Sequence, residues 1–139
     1  YLNENNYVDP GDYDAIFQPR PVDLQVLKDK DPYYRVLDLS KDTYNDAIQT
    51  YFHKCIGGYS PAKMEIYQDL IDEQLNQHDG KFNSQVLNML NTKYIIFGQQ
   101  GKETALTNPD ACGNAWFVDN VKWVNTADEE MQSLNAPKL

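Results

Sequence analysis

This chain of 139 residues has no long apolar run, and so nothing matching the roughly 18 consecutive apolar residues of a membrane-crossing helix. Basic residues are scarce: 12 Lys+Arg stand against 21 Asp+Glu, for a net charge of −9. That balance, spread along the chain rather than held in a tail, argues against nucleic acid and against an anionic bilayer surface as direct partners. Histidine occurs only as His53 and His78, neither with a second His one turn away nor with a Cys at ligand spacing, so no metal site is expected. The two cysteines, Cys55 and Cys112, lie far apart and fit neither a zinc knuckle nor a CxxC motif. They read either as a structural disulfide or as two small hydrophobes, and the unpaired reading is the expectation. Neither lies near a glycine-rich helix start that would lower its pKa, so no thiol nucleophile is expected. No G-x-S-x-G elbow or P-loop occurs, and Gly57-Gly58-Tyr59 lacks the spacing of a dinucleotide fingerprint. No cofactor is therefore expected.

What is present reads as an ordinary folded domain. Hydrophobic residues make up 41% and charged residues 24%, which excludes wholesale disorder, and the length suits one domain over residues 1–139. The chain opens at Tyr1 without a basic n-region or an apolar h-region, which predicts a piece of a longer protein or a processed one. Aromatic residues are plentiful, ten of them Tyr. Tyr and Asn together suit a sugar site, since a ring face packs on C–H groups while amides bond hydroxyls; Tyr is equally at home in half-wet cores.

Along the chain, Pro10, Gly11, Pro19 and Pro21 predict an extended or looped lead-in over residues 1–20. A short helix follows from Pro21 and must end before Pro32. Residues 33–39 read as a strand, 43–56 as helical up to Gly57-Gly58, and 61–76 as a helix with Ser60 as cap, Pro61 at its first position and Asp79-Gly80 as its stop. Ser84 caps a further short helix. Tyr94-Ile95-Ile96-Phe97 is a continuous apolar run and predicts a strand covered on both faces. Residues 98–114 read as a long loop, and 115–118 with 121–124 as a long strand or hairpin. Thr126-Ala127-Asp128-Glu129 forms a capping box that opens a last helix. The predicted class is α+β, helices packed on a small mixed β-sheet, with Ile66, Leu70, Tyr94, Ile96, Phe117 and Val121 in the core. The carboxylates Asp69, Asp72 and Glu73 fall on one helix and read as a solvated face, not as a glycosidase pair across a cleft.

Three segments, in this order, resemble one family. They are Gly58-Tyr59-Ser60-Pro61 with the helix carrying Tyr67, then Met89-Leu90-Asn91-Thr92-Lys93-Tyr94-Ile95-Ile96, then Gly113-Asn114-Ala115-Trp116-Phe117-Val118. Together they resemble the C-terminal extracytoplasmic part of bacterial YfhO-type membrane proteins. The match around Tyr51-Phe52-His53-Lys54 and Ile56-Gly57-Gly58-Tyr59 is similar to versions from Bacteroides-type bacteria. The resemblance covers about residues 10–135. It implies a periplasmic domain of a polytopic membrane protein similar to C-type glycosyltransferases that use lipid-linked sugars. The family's acidic catalytic residue belongs to an early loop with no counterpart here, so no catalytic residue carries over. Cys55 and Cys112 depart from the family pattern, in which small or apolar residues are usual at those positions.

The expected role is thus a non-catalytic accessory domain that helps to position glycan or acceptor in cell-envelope polysaccharide synthesis. Its expected partners are the transmembrane part of the parent protein and a glycan or lipid-linked sugar, and the domain itself is expected to be a monomer. The alternative is a purely structural or protein-interaction domain. Tyr51, His53, Tyr59 and Trp116 are the candidate glycan contacts. One surface cleft lined by all four would favour the first role; burial of all four would favour the second.

Overall fold

The computed structural model describes residues 9–76, 82–99 and 101–135. Among them are six helices and one three-stranded mixed sheet, the α+β arrangement expected from the sequence. Strand β1 (Arg35–Asp38) runs parallel to the central strand β2 (Thr92–Gln99), and β3 (Lys102–Thr107) runs antiparallel on the other side. Parallel neighbours need a long crossover. Here it includes α3 (Gln49–Phe52), α4 (Glu65–Leu70), a π-helical turn at Ile71–Leu75 and α5 (Ser84–Met89).

Neighbouring strand residues point to opposite faces, and both faces of this sheet are covered. Leu37 packs with Ile56, Ile71, Leu75, Val86 and Leu87 on one side, while Val36 and Ile96 pack with Val22, Val26 and Tyr34 on the other. The second layer is α2 (Pro21–Val26). On the first side α6 (Ala127–Ser133) is tied down by amides: Gln74 donates to the Met131 carbonyl at 3.2 Å and Asn83 to that of Leu134 at 2.8 Å.

Several expectations are corrected. The lead-in is not extended throughout, because Pro10–Ile16 form helix α1. The Asp9 carboxylate accepts from the Gly11 amide at 2.8 Å and Pro10 occupies the first turn, where its missing N–H costs nothing. Ser60 lies in irregular chain and Pro61 in a turn, and α4 starts only at Glu65. The π-helical turn then sets which residues face inward: Ile71, Gln74 and Leu75 are buried, Tyr67 and Leu70 half-buried, and Ile66 exposed. Asn83, not Ser84, caps α5, accepting from the Gln85 and Val86 amides. Residues 98–114 are not all loop, since β3 lies within them. Residues 115–124 form neither strand nor hairpin, and Phe117 and Val121, expected in the core, are exposed. The outer side of β1 is met at Val36 by Cys55, and among the described residues nothing pairs with the outer side of β3, so strand-like composition alone does not bring residues 115–124 to the sheet. His78 and the Asp79-Gly80 stop lie outside the described residues.

Candidate functional site

The four candidate glycan contacts do not gather in one place. Tyr51 is 67% exposed and packs on Phe17 and Phe52. Tyr59 is 60% exposed, beyond a turn that needs glycine twice. A Cβ on Gly57 would collide with the Thr43 carbonyl oxygen, and Gly58 has φ of 100°. His53 is 6% exposed, too buried to meet a sugar, and its Nε2 lies 3.0 Å from the Asp23 carboxylate. Trp116 is 41% exposed and lines a cleft of about 250 Å³, whose walls the other three do not share.

That cleft is assembled from distant parts of the chain. Tyr33 and Arg35 come from the start of β1, Lys54 from the segment bridged to it, Asn91 from the end of α5, and Asn114 and Trp116 from the irregular stretch after β3. Asn91 is its hinge point. With φ of 56° it turns the chain from α5 into β2, the left-handed role that Asn fills more readily than most residues. Its side-chain amide donates to the Tyr33 carbonyl at 3.0 Å and accepts from the Gly113 amide at 3.2 Å, while its own carbonyl accepts from the Arg35 amide at 2.9 Å. One residue thus holds both walls. Asn108 anchors the Trp116 side further, donating to the Asn88 side chain at 2.8 Å and to the Thr92 carbonyl at 2.9 Å.

The lining offers aromatic faces, two amides and two cations, with no carboxylate. Lys54 is steadied by the Pro32 carbonyl at 2.6 Å and sits 5.6 Å from the centre of the Tyr33 ring. Arg35 and Lys54 have no acidic partner among the described residues. Sequence reasoning reached Trp116 but passed over both cations. The available signal was Arg35 itself, a charged residue at alternate spacing with Tyr33, Leu37 and Leu39 on one face of the expected strand.

At the other end of β1 lies a second polar cluster of opposite character. Arg20 pairs with Asp23 at 2.8 Å, Asp38 at 2.6 Å and Glu103 at 2.9 Å, and donates to Ser40 at 2.9 Å. Burial alone would raise the Asp23 carboxyl pKa, but hydrogen bonds from Arg20 and His53 outweigh it and leave it lowered. Burial opposes the Arg20 charge as well, and its bonds to Asp23 and Asp38 raise its pKa overall. Cys55, beside this cluster, has its thiol pushed up to about 12 by burial and by the Asp38 and Asp23 charges, which makes it unreactive. Both cysteines are free. Among the described residues no group of His, Cys, Asp and Glu could hold a metal ion, and no helix is long and apolar enough to cross a membrane.

No family model, no curated protein and no solved structure matches this chain.

Proposed function

We propose that this chain is a non-catalytic, periplasmic domain of a polytopic membrane protein resembling a lipid-linked-sugar glycosyltransferase, and that it holds a glycan or acceptor for the membrane part. The observation that carries the reading is that two of the three family-like segments meet in one cleft: Leu90-Asn91 and Gly113-Asn114 with Trp116. Trp and Tyr faces with neutral amides beside them suit sugar rings and their hydroxyls. The third segment, around Gly57-Gly58, serves the turn. The site therefore moves from Tyr51, His53 and Tyr59 to the walls around Trp116. Chemical-shift mapping of the 139-residue chain with envelope oligosaccharides tests this. Shifts at Asn91, Asn114 and Trp116 are expected; shifts confined to residues 65–75, or none, overturn the reading. Transfer of sugar by this chain alone, from a labelled polyprenyl-phosphate sugar, would overturn its non-catalytic role.

A second reading, an interaction domain that braces the membrane part, draws on the exposed apolar run of Phe117, Val118, Val121 and Trp123. Flanking hydrophobic spans of about 20 residues in the full-length gene are expected on either reading.

A further inference from the structure

We infer that the Trp116 cleft selects a sugar carrying an oxyanion, a carboxylate or a phosphate, over its neutral counterpart. This rests on the reading of the cleft as a glycan site and adds the charge of the ligand to it. The chain carries −9 overall, yet the cleft is lined by Arg35 and Lys54 and by no carboxylate. The contrast with other parts of the surface decides the sign. The larger groove between α4 and α6 is lined by Asp69, Glu73, Asp128 and Glu130 without a cation, and would repel an anion. Lys93, near the cleft in sequence, is neutralised by Asp29 at 2.6 Å and Asp31 at 3.5 Å. Among the described residues no carboxylate pairs with Arg35 or Lys54.

Their chemistry divides the work. The planar guanidinium of Arg35 presents paired N–H donors that match the two oxygens of a carboxylate or phosphate, while the Lys54 ammonium adds a point charge. The Trp116 face supplies the surface for the ring, and the Asn114 amide lines the same space for hydroxyls. Asn91 fixes the distance between the two walls through its bonds to Tyr33 and Gly113, so the cleft is built before ligand arrives.

The test is calorimetric and NMR titration of the 139-residue chain with four probes: a glucuronate-containing disaccharide, glucose 1-phosphate, the neutral disaccharide and inorganic phosphate. The acidic sugars are expected to bind about tenfold or more tightly than the neutral one, with added salt weakening them. Arg35→Gln, and separately Lys54→Gln, should remove that preference, bringing acidic-sugar affinity down to that of the neutral sugar for the same variant; Trp116→Ala should weaken every sugar. Whichever acidic sugar binds more tightly identifies the oxyanion as carboxylate or phosphate. Equal binding of acidic and neutral sugars at the cleft overturns the charge selection but leaves the glycan reading standing. Binding of inorganic phosphate as tight as that of glucose 1-phosphate overturns the sugar part and leaves an anion site. No binding by any probe overturns both readings.

Discussion

The two ends of β1 hold arginines in opposite circumstances. At its C-terminal end Arg20 is surrounded by Asp23, Asp38 and Glu103, with two of those carboxylates fully buried. At its N-terminal end Arg35 faces a cleft with Lys54 and no acid. A paired, buried charge fastens one element to another, here α2 to β1 and β3, because removing either partner strands the other in a low dielectric. An unpaired cation at a cleft contributes little to stability and is free to meet a ligand. Charge alone does not mark function; the absence of a partner does.

The sharpest way to break this comparison is Asp23→Ala. It deprives both Arg20 and His53 of a bond and should cost about 3–5 kcal/mol in urea denaturation. A loss below about 1 kcal/mol would show that the cluster is not a fastener. Asn91→Ala should cost less, about 1–3 kcal/mol, through two lost hydrogen bonds and a left-handed backbone without its favoured side chain. It should also loosen the Trp116 wall, seen as increased solvent quenching of indole fluorescence.

A smaller effect belongs to Asp29. The Lys93 ammonium, with the Asp31 amide and the Tyr94 hydroxyl, holds its carboxyl down at about 2. A depressed carboxyl pKa stabilises the fold above its ordinary value of 3.8 and ceases to do so as pH falls through about 2. Acid titration should therefore show a stability loss between those values that Asp29→Asn abolishes. The same loss in the variant would reassign it elsewhere. Smallest of all, Arg35→Gln should alter stability by no more than about 0.5 kcal/mol while removing selection for acidic sugars.

Local signals made much of the fold legible. Tyr94-Ile95-Ile96-Phe97 falls inside β2 with both faces covered, and Thr126 caps α6 by accepting from the Glu129 amide at 3.2 Å. What failed was information that local pattern does not hold. Strand β3 is a polar edge strand whose Lys102-Glu103-Thr104 start reads as loop, and its pairing is dictated by β2 and by Gly101 with φ of 77°. Residues 115–124 have the composition of strands yet pair with neither edge of the sheet, and so Phe117 and Val121 lie exposed instead of in the core. Strand propensity describes fit to a half-buried pleat, not the presence of one. The site was legible only at Trp116, because Arg35, Lys54, Asn91 and Asn114 become neighbours through the fold and not through spacing.

The parallel pairing of β1 with β2 carries a consequence for how the protein forms. Val36 must find Tyr94 across the whole of residues 39–91, whereas β2 and β3 close through a short hairpin. Long closures cost more chain entropy and form more slowly, while hairpins form in about 1–10 μs. The hairpin is thus available early and β1 docks late. Since Arg35 and Lys54 lie on the late side of the cleft and Asn91 on the early side, the capacity to hold a ligand is completed only when the last long-range contact is made. In stopped-flow refolding, recovery of cleft binding should trail the appearance of β-structure, and the two appearing together would refute that order.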